Sequence, residues 1–230
     1  FDHLRYFTGA SEARKYDKFI HYALGAASEA MEDAALREFD PARFGVYIGS
    51  GIGGMQTFVE QTNVLRDRGP GRVSPFFISS MIGNMAAGLI SIRFGAKGPT
   101  LPVVTACATS SNTIGEALRA IRHGYADYIL AGGAECTINP LSIAGFTNCK
   151  ALSETEDPLR ASIPFDAERN GFVMGEGAGV LLLEEYEHAK ARAKAAGTEL
   201  PTPPEETIDA QLEHLMTECD GHAETEDAAV

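Results

Sequence analysis

Short, nearly continuous apolar runs alternate along this chain with segments whose apolar residues recur at helical spacing. Four runs are long enough for a buried strand: FGVYIG (44–49), the run that ends at Cys107, YADYILAGGAE (125–135) and residues 179–184. A strand that is apolar on both faces must be covered on both faces, which is typical of parallel sheets with helices on either side. The pattern therefore predicts an α/β fold with a mostly parallel sheet.

The segments between these runs have the 3.6-residue period of helices. The first predicted helix covers residues 11–36, where Phe19, Ala23 and Ala27 fall on one face, and Asp40-Pro41 follows as a break. Further helices are predicted over 55–66, within FFISSMIGNMAAGLISIRF (76–94), from the residues after Cys107 to His123, and in the Ala- and Lys-rich segment before Gly197, with a loop at 69–75.

Composition excludes several classes of protein. The chain has 230 residues, enough for one large α/β domain or two small ones. It contains no run of 18 apolar residues, so we expect no transmembrane helix. Its opening is too charged for a signal peptide and lacks a methionine, which suggests a start further upstream. Four cysteines without C-x-x-C spacing predict neither a disulfide framework nor a metal site, and favour a cytoplasmic setting.

The net charge of −13 is concentrated at one end of the chain. Residues 201–230 hold nine of the 32 acidic residues and no lysine or arginine, so 23 acids face 19 bases in residues 1–200. This balance does not predict a nucleic-acid-binding surface. We expect a main domain over residues 1–196 and an acidic, Pro-rich tail over 197–230 that is disordered or forms a short helix.

Residues 49–54 read GSGIGG and match the G-x-G-x-x-G pattern of dinucleotide-binding turns. Such a site requires a second parallel strand ending in an acidic residue about 20 residues later. The segment in that position, RDRGPGRVSPFF, is instead rich in turn residues. We therefore interpret the glycines as a tight turn, and we expect neither a nucleotide nor any other cofactor.

Cys107 is the strongest candidate for chemistry. It lies where the apolar run 102–106 gives way to the helical period that includes Ile114 and Leu118. Unpaired backbone N–H groups at the start of a helix favour a thiolate, and the small neighbours Ala106 and Ala108 permit a sharp turn. The same arrangement presents a nucleophilic serine in other α/β enzymes. These local features leave a structural role for the thiol open.

The other cysteines and the histidines carry weaker signals. Cys136 and Cys149 are interpreted as buried structural thiols, because free cysteine behaves as a small hydrophobic residue. The six histidines are predicted at surfaces or helix ends, with His123 and His188 near helix C-termini, and none has the spacing of a metal ligand or catalytic base.

Five segments together resemble the β-ketoacyl-acyl-carrier-protein synthases, the elongating condensing enzymes of bacterial fatty-acid synthesis. They are EARKYDKFIHYAL, IGSGIGGMQTF, SPFFISSMIGNMAAG, GPTLPVVTACATSSNTIGEALRAIRHGYADYILAGGAE and PFDAERNGFVMGEGAGVLLLEEYEHAKAR, in that order. The resemblance implies a thiolase-like fold made of two α/β halves. This chain would supply most of one half, with a mixed sheet between helices and without its first strand, and the second half would be missing.

The resemblance also assigns roles to particular residues. Cys107 would accept the acyl group as a thioester, and its backbone N–H would form part of the oxyanion hole. Ile82 and Phe172 match positions that line the acyl tunnel of the family. The SPFF segment matches the contact between the subunits of a homodimer, and acyl carrier protein would deliver both the acyl and the malonyl group. No metal is implied.

Two histidine motifs of the family, H-G-T and G-H-x-x-G-A, do not occur in this sequence. We therefore expect at most acyl transfer and no complete condensation from these 230 residues. Three alternatives stay open: a truncated relative that binds a full-length synthase without chemistry, a fragment of a polyketide ketosynthase, and an initiating or thiolase-type enzyme primed by acyl-coenzyme A.

Overall fold

A mixed three-stranded sheet organises the larger of two compact units in the computed structural model, which describes residues 2–198. The strands β1 (Phe44–Gly49) and β2 (Tyr128–Glu135) are parallel, and β3 (Gly177–Glu184) runs antiparallel to β2. The order is β1-β2-β3, with Gly49 opposite Gly133 and Gly133 opposite Gly179. The carboxyl ends of β1 and β2 and the start of β3 therefore meet at one edge of the sheet.

Helices make up most of the remaining regular structure. In this unit they are α1 (Ala10–Ala13), α2 (Lys18–Asp33), α3 (Met55–Arg68), α4 (Phe77–Met81), α5 (Met85–Phe94), α6 (Thr109–Arg122), α7 (Pro140–Asn148) and α8 (Pro158–Ala161). The predicted loop at 69–75 contains one short 3-10 turn, Pro70–Arg72. Among the described helices, none is long and apolar enough to cross a membrane.

Both faces of β1 and β2 are buried, as the apolar runs predict. Ile48 and Leu130 pack into a cluster with residues of α2 and α5 on one face. Tyr47 and Ile129 pack with Ala117 of α6 on the other face. Alternate residues of each strand thus enter different clusters, which explains why the strands have no polar alternation.

The first predicted helix is divided in the structure. The helix expected over residues 11–36 is broken before Asp17, because this aspartate caps α2 by accepting the Phe19 N–H and also accepts the Thr57 N–H at 2.7 Å. The apolar segment 76–94 contains a helix as predicted, α5, and the short helix α4 precedes it, separated from it at Ile82, which has extended backbone angles (ψ 134°).

The strand predicted before Cys107 is wrong. Residues 99–101 lie beside β1, where the Val46 N–H donates to Pro99 O at 3.0 Å and the Leu101 N–H donates to Val46 O at 3.1 Å. Thr100 forms one isolated parallel bridge with Val46, and residues 101–105 have no regular secondary structure. The run is apolar but exposed in large part, because it leaves β1 after a single bridge.

The second unit, Tyr186–Val230, is described only at its start. Helix α9 (Tyr186–Ala196) confirms the predicted Ala- and Lys-rich helix, and Gly197 ends it in a left-handed conformation (φ 68°). Almost all of the predicted tail (197–230), with its short helix, Cys219, His214 and His222, lies outside the described residues.

Candidate active site

Cys107 lies on a tight turn directly before α6. Ala106–Ala108 form a single 3-10 turn, and α6 begins at Thr109. Ala106 has a left-handed backbone (φ 50°), a conformation that costs energy in residues other than glycine. The thiol is exposed at this turn. The sharp entry into a helix, which favours a reactive thiol, is thus present even though a regular strand does not precede it.

Side chains of α6 tie the turn to the helix. The Thr105 N–H donates to Thr109 Oγ1 at 2.9 Å. The Asn112 amide donates to Thr105 Oγ1 at 2.8 Å and to Ala108 O at 3.1 Å. Among the described residues, no hydrogen bond engages the backbone N–H of Cys107. This N–H is therefore available to an incoming carbonyl oxygen.

A cavity of about 630 Å³ lies beside the thiol. Cys107 lines it together with small residues from the carboxyl ends of β1 and β2. The rest of its lining is more apolar and includes Phe146 and residues 172–175. The two phenyl rings of Phe146 and Phe172 meet edge to face, with centroids 5.3 Å apart. A nucleophile next to an apolar surface suits a substrate with a reactive carbonyl and a hydrocarbon chain.

The structure brings two of the three predicted site residues together. Cys107 and Phe172 line the same cavity, and backbone hydrogen bonds of Phe172 with Ala151 and Ser153 fix its position. Ile82 is partly buried at the end of α4 and is not among the residues that line the cavity. Its predicted role in an acyl tunnel stays a prediction.

Among the cavity residues that the sequence did not predict are Phe146 and Glu135. Phe146 belongs to α7, whose register relative to the sheet is not visible in the sequence. Glu135 could have been predicted to lie at the site, because it ends β2 and the carboxyl ends of parallel strands lie at the same edge of a sheet. It is the one residue with a charged side chain among the described cavity residues.

The carboxylate of Glu135 hydrogen-bonds to the glycine-rich turn after β1. Its Oε2 accepts the Gly51 N–H at 3.0 Å, and its Oε1 accepts the Ser50 hydroxyl at 3.2 Å. Ser50 Oγ in turn accepts the Gly53 N–H at 2.9 Å. Burial raises the pKa of Glu135, and these hydrogen bonds oppose that shift. The donors that could hold a phosphate are thus satisfied by the chain itself, in agreement with the interpretation of this segment as a turn.

The remaining cysteines divide into one buried and one exposed thiol. Cys136 is buried as predicted; burial, followed by a hydrogen bond with the Glu176 carboxylate, raises its pKa to about 12. Cys149 is exposed, so its predicted burial is wrong. It lies at the end of α7, a helix whose residues Leu141 and Ile143 are also exposed, and its Sγ lies 3.0 Å from Gly145 O.

The histidines do not form a catalytic group in the described chain. His21 is buried on α2, against expectation, with Nε2 2.9 Å from Ala13 O, and burial lowers its pKa. His123 caps the end of α6 as predicted, whereas His188 lies in the first turn of α9 rather than near its C-terminus. Within residues 2–198, no cluster of three His, Cys, Asp or Glu side chains could hold a metal ion.

Comparison with known proteins identifies the family. Residues 1–189 match the family model for the N-terminal domain of beta-ketoacyl synthase. The chain belongs to the beta-ketoacyl synthase family. It is 51% identical over 189 residues to 3-oxoacyl-[acyl-carrier-protein] synthase 2 of Synechocystis sp., covering 81% of this chain and 45% of that relative. The synthase of the same name from Rhizobium meliloti is 52% identical over 186 residues, with 79% and 44% covered.

Solved structures confirm the thiolase-like ketosynthase fold. A beta-ketoacyl synthase from Burkholderia phymatum aligns with a TM-score of 0.71 at 33% identity, covering 80% of this chain and 46% of that one. A type II polyketide ketosynthase in complex with its acyl-carrier protein, AntDE:AntF, aligns at 0.69 and 26% identity, with 84% and 53% covered. This synthase-family chain therefore spans about half the length of the proteins it matches.

Proposed function

We propose that this chain is the acyl-accepting half of a 3-oxoacyl-[acyl-carrier-protein] synthase, in which Cys107 carries the acyl group. The observation that carries the proposal is the exposed thiol on the turn before α6, beside a cavity with an apolar wall. The identity of about 51% with synthases of that name supports fatty-acid elongation as the setting. The proposed setting is cytoplasmic.

In the transfer step, the Cys107 thiolate attacks the carbonyl carbon of an acyl thioester on the carrier protein. The backbone N–H of Cys107 donates to the carbonyl oxygen as negative charge develops on it. The bond between the carbonyl carbon and the carrier sulfur breaks, and the carrier thiolate leaves and takes up a proton. The acyl chain, now a thioester of Cys107, lies along the apolar wall at Phe146 and Phe172.

A complete condensation would also need malonyl carrier protein to lose carbon dioxide and its carbanion to attack the Cys107 thioester. No histidine lines the described cavity. We therefore propose that the 230-residue chain performs the transfer step and not the decarboxylation. Detection of a 3-oxoacyl product from the purified chain would overturn this part of the proposal.

Acyl carrier protein is the proposed partner, supported by the carrier protein bound to the related ketosynthase AntDE:AntF. A homodimer is proposed on the exposure of Phe76 (41%) and Ile78 (58%) in the SPFF region. A polyketide substrate is less well supported, because the polyketide ketosynthase AntDE:AntF is only 26% identical to this chain.

The deciding experiment is the intact mass of the chain after incubation with an acyl-carrier-protein thioester. An acyl adduct on the wild type and on Cys149→Ala, but not on Cys107→Ala, is expected. The Cys149→Ala variant is the matched control, because Cys149 is the other exposed thiol in residues 2–198. A folded wild-type chain that gains no adduct, or an adduct that persists in Cys107→Ala, would refute the proposal.

A second candidate is a binding role without chemistry. Leu159 (88% exposed) and Phe165 (98% exposed) present apolar surface that a partner would cover. Co-purification with a full-length synthase whose activity is the same with the Cys107→Ala variant would favour this role over acyl transfer.

A further inference from the structure

Glu135 is a partly buried carboxylate in the cavity wall for which the transfer step has no use. It ends β2 and lines the same cavity as Cys107. Its two oxygens accept hydrogen bonds from the Ser50 hydroxyl and the Gly51 N–H. One donor from the turn after β1 therefore faces each oxygen of this side chain. A carboxylate suits them because both of its oxygens accept hydrogen bonds, whereas a carboxamide would direct an NH₂ group at one of the donors.

The turn that Glu135 holds is in direct contact with the nucleophile turn. A side chain at Gly51 would have its Cβ 2.8 Å from Glu135 Oε2 and 3.2 Å from the carbonyl oxygen of Ala106. Gly51 is thus confined between the carboxylate and the residue that precedes Cys107. Ala106 also has a left-handed backbone, a conformation that persists only when its surroundings hold it.

We propose that Glu135 is a positioning residue for Cys107: it fixes the turn 50–53, and that turn holds Ala106 so that the thiol stays at the start of α6. This positioning role rests on the proposed function, in which Cys107 accepts the acyl group. The position of the thiol can nevertheless be measured without acyl transfer. Glu135 itself forms no bond with the substrate in this scheme.

The test is the rate of alkylation of Cys107 by iodoacetamide, relative to that of Cys149 in the same molecule, measured by peptide mass spectrometry. Both thiols are exposed, so Cys149 corrects for reagent and global unfolding. Glu135→Gln removes the second accepting oxygen and the charge. Gly51→Ala keeps the charge but forces the turn away from Ala106. Glu116→Gln, an exposed carboxylate on α6 that pairs with Arg119, is the control.

We expect Glu135→Gln and Gly51→Ala each to lower the Cys107 to Cys149 rate ratio by about two- to fivefold, the range for loss of a thiolate's interaction with a helix start. Glu116→Gln should leave the ratio unchanged. Glu135→Gln removes a charge and Gly51→Ala changes none, so a decrease shared by both variants indicates placement.

Two results would overturn the proposal. An increased ratio in Glu135→Gln with no change in Gly51→Ala would mean that Glu135 acts on the thiol through its charge alone. An unchanged ratio in both variants, with a lower melting temperature, would mean that Glu135 only stabilises the fold. If Glu135→Gln does not fold, Gly51→Ala and Ser50→Ala decide the question in the same way. Lack of an acyl adduct in the earlier experiment would leave this measurement valid.

Discussion

Gly49, the last residue of β1, should tolerate no side chain. A Cβ at this position would lie 2.2 Å from the Val103 carbonyl oxygen and 2.4 Å from Thr109 Cγ2. Ordinary van der Waals contact begins at 3.4 Å, so the Val103 oxygen would have to retreat by about 1.2 Å. Val103 and Thr109 flank the turn that carries Cys107, and this retreat would displace the Cys107 thiol.

The expected cost of Gly49→Ala follows from this overlap. Adding one methyl group to a packed interior typically costs about 1–3 kcal/mol of unfolding free energy. The atom that the new methyl group would meet first is the backbone oxygen of Val103, which cannot move aside as a flexible side chain would. Gly88→Ala is the matched control, because an added Cβ there, within α5, has no heavy atom within 4 Å. That variant should gain about 0.5–1 kcal/mol from the higher helix propensity of alanine.

Urea denaturation followed by circular dichroism would measure both variants beside the wild type. Gly49→Ala should also lower the alkylation rate of Cys107 relative to Cys149, whereas Gly88→Ala should not. A Gly49→Ala variant whose unfolding free energy lies within about 0.5 kcal/mol of the wild type would refute the argument from close contact.

Three further outcomes are expected. Thr113 is fully buried and its hydroxyl donates to Gly132 O at 2.8 Å, so Thr113→Val should lower the unfolding free energy measured in urea by about 1–2 kcal/mol. Thr62→Val, at an exposed position of α3, is the control and should leave that free energy unchanged. Burial lowers the pKa of His21, so the unfolded chain binds the proton more readily and the unfolding free energy should fall as the pH drops below about 6.5. A His21→Gln variant whose unfolding free energy depends on pH as steeply as that of the wild type would contradict this. Phe165 is 98% exposed with a left-handed φ of 67°, so Phe165→Gly should raise the melting temperature or leave it unchanged and reduce binding of a hydrophobic dye, and a clear loss of stability would argue for a hidden contact.

The strands β1 and β2 were predictable because their apolar runs are buried on both faces, and β3 was predictable from its apolar run although its residues are only partly buried or exposed. The run before Cys107 has the same composition, yet it makes one bridge with β1 and then turns away. Apolar content shows what a segment would bury and not whether a neighbouring strand is present to pair with it. The division of the first helix depends similarly on Asp17, whose second oxygen binds the distant Thr57 N–H.

The candidate site was predictable where a residue's role is local. Cys107 stands out because the turn and the helix that hold it are adjacent in sequence. Phe172 came from resemblance to a known family. Glu135 and Phe146 depend on which segments meet at one edge of the sheet, and Cys149 on how much of α7 is covered. These properties depend on contacts between segments that are distant in the sequence, so they cannot be read from local sequence patterns.

The cavity draws its two kinds of lining from separate stretches of chain. The thiol and its supports come from the turns after β1 and before α6 and from the end of β2, whereas the aromatic surface comes from α7 and residues 172–175. Under the proposed function, the thiol's reactivity and the size of the accepted substrate would therefore depend on different segments of the chain. A combinatorial library confined to Phe146 and residues 172–175 would then change which acyl lengths are accepted while leaving the turn that carries Cys107 as it is.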